Sequence, residues 1–244
     1  MKSLGKALEV LEYVVCQEGT AVTPSEAAAA CGINVSSCVR TIKLLVERGY
    51  LEQVSRRSGY VTGPAAVALG DRRSVYGRLA AAAAEPLAVL AQRINGLVNL
   101  SVYHRGQRYI IKHLGNEARV RLAPQLRYDD DYYDSATGRL LLSTMNSEEV
   151  DALVKNVGLP SGQRNRKELE QTLAEYRRQG WVKFWSERQQ LWIVGSLVTV
   201  PGLPVAATGF GVADEKTAEQ AVVWTVEATN AIAARLREVK MCSY

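Results

Sequence analysis

Residues 31 to 63 read CGINVSSCVRTIKLLVERGYLEQVSRRSGYVTG. Two adjacent hydroxyls, Ser36 and Ser37, are followed at short spacing by Arg40, Thr41 and Lys43, and two further cations, Arg56 and Arg57, sit in a glycine-containing turn. Hydroxyl, guanidinium and ammonium groups in this order suit hydrogen bonding to base edges and phosphate oxygens of a nucleic acid.

Those groups need elements to position them. At about 100° per residue, a helix over Val35 to Arg48 puts Val35, Val39, Ile42 and Val46 on one side, with Cys38 and Leu45 at its edge. Ser36, Arg40 and Lys43 then fall opposite, with Ser37 beside them, and Asn34 is a natural cap for the free amides of the first turn. Upstream, VTPSEAAAACG predicts another helix, with Thr23 as cap, Pro24 at the first helical position, Glu26 completing a capping box and Gly32 just past the end. Downstream, YLEQV and YVTG flank the tip Ser55, Arg56, Arg57, Ser58 and Gly59 as a hairpin. Two helices across a short turn, followed by a basic-tipped hairpin, are the sequence form of a winged helix-turn-helix, whose second helix can enter the major groove of double-stranded DNA.

The chain has 244 residues, 47% of them hydrophobic, enough for two domains with real cores. Its net charge of +5 is compatible with a nucleic-acid partner but modest. No apolar stretch approaches the roughly 18 residues that span a bilayer, and MKSLGKALEV lacks the continuous apolar segment of a signal peptide, so a cytoplasmic protein without a membrane partner is expected. Cys16, Cys31, Cys38 and Cys242 show no paired metal spacing. The two histidines, His104 and His113, share one hairpin, and the sequence holds no nucleophile elbow, P-loop or zinc-protease motif, so neither catalysis nor a cofactor is expected. Asp129, Asp130 and Asp131, with Asp134 nearby, read as a solvated loop, because a calcium loop needs alternating ligands and a tight glycine; no metal is expected either.

The predicted organisation is a DNA-binding domain over 1–70, a linker helix over 71–85 and a larger domain over 86–244. Pro86 is expected to separate a helix ending near Ala84 from one running to Ile94 and closed by Gly96. Beyond it, LVNLSVYHRGQRYIIKHL predicts a hairpin about Arg105 and Gly106. Helices are expected around Ala136 to Thr144, Ser147 to Val157 and Arg166 to Gln179, then three strands in WVKFWSE, LWIVGSLVTV and PVAATGFGV, and a closing helix from about Thr217 to Val239. This predicts an α+β chain whose second domain is one sheet with helices on a face.

The stretches GINVSSCVRTIKLLVERGYL, AEPLAVLAQRINGLVNLSV, SATGRLLLS and ELEQTLAEYRRQGW, with the closing strand pair, occur in an order that resembles the IclR family of bacterial transcriptional regulators. The resemblance implies a winged helix-turn-helix, a dimerising linker helix and a GAF-like α/β domain whose small-molecule effector changes operator affinity, in homodimers or homotetramers. Ser36 and Arg40 match the family's recognition-helix serine and arginine; Ser37, Thr41, Lys43, Arg56 and Arg57 come from the helix and hairpin geometry above. The positions matching the family's pocket are Ala136, Thr137 and Gly138 at the pocket helix, then Phe184, Val194, Gly209 and Gly211 on the strands. The family's small-acid binders tend to carry an acidic residue, a cysteine and serines at those strand positions. With Trp185 and Trp192 adding aromatic area nearby, an apolar or aromatic effector is expected instead of a small free carboxylic acid. The competing reading is a DNA-binding protein whose second domain only oligomerises, and the direction of regulation stays open.

If Arg56 and Arg57 reach phosphates, replacing both with Ala should flatten the dependence of log K for DNA on log salt by up to about 2. Anisotropy titrations across a salt series measure this, and an unaltered slope would mean that the hairpin tip is merely solvated.

Overall fold

The computed structural model describes residues 2–17, 19–55, 58–69, 74–115, 127–128 and 132–241. Backbone contacts divide them into two units, 2–69 and 74–241. Arg56, Arg57, Asp129, Asp130, Asp131 and Cys242 lie outside the described residues.

The first unit runs α1 (Lys2–Val15), α2 (Pro24–Ala30), α3 (Val35–Glu47), β1 (Leu51–Ser55), β2 (Gly59–Thr62) and α4 (Pro64–Ala68). Thr23 caps α2 through a reciprocal box: its Oγ1 accepts from the Glu26 amide at 3.3 Å, while a Glu26 carboxylate oxygen accepts from the Thr23 amide at 2.8 Å. These bonds hold the Glu26 carboxyl below its usual range. Gly32, at φ +59°, makes the turn into α3. Val10, Val14, Val22, Ala27, Ala28, Cys38, Ile42 and Leu51 form the core. Strands β1 and β2 pair antiparallel, and Tyr60 bridges backbone to backbone with Val22. That approach requires Gly59, since a Cβ there would strike the Val22 carbonyl.

The buried stripe of α3 differs from the periodic expectation. Cys38 and Ile42 are buried, whereas Val35 and Val39 are 47% and 45% exposed. The domain offers only a small core, so just the narrow stripe facing α1 and α2 is covered, and the valines are left on the rim of the polar side.

In the second unit, α5 (Val75–Ile94) is continuous through Pro86, where a break was expected. The proline costs one intrahelical hydrogen bond, but Leu79, Ala83, Leu87 and Leu90 are buried along one stripe on both sides of it and keep the axis on the sheet. The segment read as a separate linker therefore contributes, from Val75 on, to the core of this unit. Six strands follow in the order β5 (Arg127–Tyr128), β4 (Gln107–Leu114), β3 (Val98–His104), β8 (Ala206–Val212), β7 (Leu191–Val198) and β6 (Trp181–Ser186), all antiparallel. Helices lie on both faces, not on one. α5 and α9 (Glu215–Met241) cover one; α6 (Ala136–Ser143) covers the other, backed by α7 (Ser147–Val157) and α8 (Arg166–Gln179). Strand alternation separates the two sides: Val194, Val198, Phe210 and Val212 face α5 and α9, while Val182, Ile193 and Ala207 face α6. On the α9 side Thr208 pairs with Thr225 at 3.0 Å and Ser196 with Thr229 at 3.2 Å, satisfying buried hydroxyls between sheet and helix. Among the described residues no single helix is long and apolar enough to cross a membrane.

The first turn of α6 lies hard on the sheet. A Cβ at Gly195 would strike the Thr208 carbonyl and come within 2.6 Å of the Ala136 Cβ; one at Gly209 would come within 2.9 Å of the Thr137 methyl. Gly195→Ala should therefore lower unfolding free energy by about 1–3 kcal/mol or more, as overpacking does. Urea denaturation checks this, and unchanged stability would show that α6 yields freely.

Candidate functional site

Two groups of side chains stand out, one in each unit. On α3, Ser36, Arg40 and Lys43 are exposed, and Ser37 and Thr41 are half-buried. Asn34 caps the helix with Oδ1 accepting from both the Ser36 amide and the Ser36 hydroxyl, each at 2.8 Å. The Ser36 proton is thus spent on the cap, and its oxygen faces outward as an acceptor. One terminal nitrogen of Arg40 donates to Ser37 Oγ at 3.3 Å, which steadies the guanidinium and leaves its other donors on the exposed face. The structure thus puts Ser36, Arg40 and Lys43 on one exposed side of α3 with Ser37 in contact with Arg40, and sets Thr41 nearer the core. It places the wing's Ser55 and Ser58 at the hairpin end, where the Ser58 amide donates to Ser55 Oγ at 2.9 Å.

The second group sits where α6 meets the sheet. Ser135 caps α6 by accepting from the Gly138 amide at 3.0 Å, and Ala136, Thr137 and Gly138 are all buried. Beside them is a side chain that the motif reading passed over. Arg108 on β4 is only 2% exposed, and its Nη1 donates to Thr137 Oγ1 at 3.1 Å and Ser101 Oγ at 3.3 Å. Ser101 in turn donates to Asn99 Oδ1 at 3.1 Å, and Asn99 Nδ2 to the Gly209 carbonyl at 2.9 Å. Also in the first turn of α6, the Arg139 guanidinium stacks 3.3 Å from the Phe184 ring centre and donates through Nε to the Tyr133 carbonyl at 2.6 Å. Tyr103 and Tyr132 meet edge to face, 6.5 Å between centres. Burial pushes the Tyr103 hydroxyl above its ordinary pKa, with the Glu149 carboxylate adding to the rise.

Of the predicted effector residues, Ala136, Thr137, Gly138, Phe184, Gly209 and Gly211 share the α6 side. Val194 and Trp192 do not: Phe184 pairs with Ile193 and Trp185 with Trp192, so both turn to the α9 side, where Val194 is buried and Trp192 packs on Trp185. Gly211 is covered by Leu191, whose Cδ1 would be 2.9 Å from a Cβ there. A buried cation, hydroxyls, an amide and aromatic rings can hold a ligand with one polar end.

Residues 3–55 match the model of the IclR helix-turn-helix domain, and residues 76–191 match that of the bacterial transcriptional regulator IclR C-terminal domain. The chain belongs to the IclR family. It is a DNA-binding transcriptional regulator with a helix-turn-helix domain and a C-terminal α/β domain, as the family models describe. Among solved structures it resembles an IclR homolog from Microbacterium hydrocarbonoxydans complexed with 4-hydroxybenzoate, with a TM-score of 0.76 and 23% identity over 97% of this chain and 99% of that one. It is similar to the Thermotoga maritima IclR at TM-score 0.66, with 22% identity over 97% and 99% of the two chains. It also resembles Pseudomonas aeruginosa HmgR at TM-score 0.70, with 18% identity over 96% and 99%. No curated protein sequence matches it significantly.

In this IclR-family chain the one available signal for Arg108 was alternation. Asn99 and Ser101 interrupt Val98, Leu100 and Val102 on a strand buried on both faces, and the turn at Arg105 and Gly106 sets Arg108 opposite Tyr103, on the side of the polar pair. For α3, Arg40→Ala should weaken DNA binding with the fold intact. A base contact would cost about 1–3 kcal/mol of discrimination at one position, and a phosphate contact would weaken all sequences alike. Unchanged affinity at physiological salt would remove Arg40 from the interface.

Proposed function

We propose that this regulator binds operator DNA as a homo-oligomer through the exposed row of α3, and that a small aromatic ligand with one polar end, held against α6, sets its operator affinity. DNA contact is assigned to Ser36, Ser37, Arg40, Thr41 and Lys43, with the wing's Arg56 and Arg57 adding phosphate contacts. The first part, 1–70, carries DNA binding; the rest, with α5 serving in place of a separate linker, carries effector binding and oligomerisation. The observation that carries the effector reading is the buried Arg108 guanidinium beside Thr137 at the start of α6. A helix N-terminus and a cation together favour an acidic or strongly accepting group, while Phe184, Tyr103 and Tyr132 supply aromatic surface nearby. The similar Microbacterium structure holds 4-hydroxybenzoate, a ligand of this shape. A ligand that binds one oligomer geometry better shifts the population and so the spacing of two recognition helices.

Thermal melting of the full chain with benzoate, 4-hydroxybenzoate, glyoxylate and pyruvate tests the reading. The aromatic acids should raise the Tm and change operator affinity, and Arg108→Met should abolish both effects. Micromolar binding of glyoxylate or pyruvate would overturn the aromatic assignment. Silence across a broad panel with intact operator binding would favour a C-terminal domain that only oligomerises.

A further inference from the structure

The row on α3 that faces away from the core is not purely polar. At about 100° per residue, Ser36, Arg40 and Lys43 cluster about the outward direction, and Val39 lies on one flank of that cluster with Val35 a turn before it on the same line. Both are close to half exposed, at 45% and 47%. The other flank carries Leu44, 51% exposed but nearer the C-terminal end of the helix. Helix-turn-helix proteins meet base edges chiefly with the N-terminal half of the second helix, and a side chain in a helix leans toward its N-terminus. Val39 therefore presents its two methyl groups at the edge of the surface on which Ser36 and Arg40 present their polar atoms.

We infer that Val39 reads a thymine, by packing its methyl groups against the thymine 5-methyl in the major groove. The inference rests on the assignment of α3 as the DNA-reading helix. The chemistry is specific, because the 5-methyl is the only apolar feature that a base pair shows in the major groove, and cytosine offers a donor there that Val39 cannot satisfy. Val39 contributes nothing to the domain core, which Cys38 and Ile42 fill from the same helix, so its side chain is free to be chosen by the DNA. Arg40 and Lys43 can reach phosphates or the acceptors of a guanine; the valine adds discrimination for a methyl group, which a cation does not recognise.

The test uses the full chain and an operator selected from a random DNA pool. Each thymine of that operator is replaced in turn by deoxyuridine, which keeps every hydrogen-bonding group and lacks only the methyl. The unmodified chain should lose about 4-fold in affinity at one thymine of each half-site, the equivalent of one buried methyl group. Val39→Ala, which leaves the core untouched, should bind the thymine and deoxyuridine operators equally at that position. Arg40→Ala should bind more weakly yet keep the penalty. An unmodified chain indifferent to every replacement, or a Val39→Ala chain with the full penalty, would overturn the inference. If the pool yields no enriched sequence, or Arg40→Ala and Lys43→Ala both bind as the parent does, the assignment of α3 fails and takes the inference with it.

Discussion

The first turn of α6 rests on the sheet only because Gly195 and Gly209 present no side chain to Ala136 and Thr137. That close approach organises the second unit. With the helix held at van der Waals distance from β7 and β8, Thr137 is brought to Arg108, and Arg108 reaches across to Ser101 on β3. A guanidinium so deeply buried would cost several kcal/mol if its donors went unmet, so the hydroxyls around it are as much a requirement of the packing as the glycines are. The opposite face solves a simpler problem, with alanines, valines and leucines from α5 and α9 burying the sheet and paired threonines and serines satisfying the few polar groups between them.

In the first unit the controlling feature is the turn from Gly32 to Asn34. A left-handed glycine followed by a capping asparagine ends one helix and starts the next within three residues, which fixes the angle at which α3 leaves the core. Cys38 and Ile42 then face inward, and Ser36, Arg40 and Lys43 have no choice but to face out. Burial also pushes the Cys38 and Cys31 thiols above their ordinary pKa, so at neutral pH they behave as the small apolar groups their positions suggest.

Features that depend on a few adjacent residues were legible in the sequence. The Thr23–Glu26 box, the Asn34 cap and the Arg105–Gly106 turn are each local chemistry, and each is present. Features that depend on distant partners were not. Whether Val39 or Cys38 is buried is decided by how wide a stripe α1 and α2 can cover, which the sequence of α3 does not contain. The pairing of Phe184 with Ile193 is a register, and a slip of one residue moves a side chain through the sheet; that register turns Trp192 and Val194 to the α9 face, away from the other positions matched to the family's pocket. Pro86 stayed inside a helix because burial on both sides outweighed one lost hydrogen bond. Arg108 carried no motif, and only the fold shows that it is buried.

The central claim is that α3 reads sequence, and the most direct measurement is the affinity of the full chain for a selected operator against a scrambled duplex of equal length and composition, at one physiological salt concentration. The account predicts a preference of at least about 10³-fold, the range that separates specific from non-specific binding by such proteins. Equal affinity for the two duplexes would contradict it.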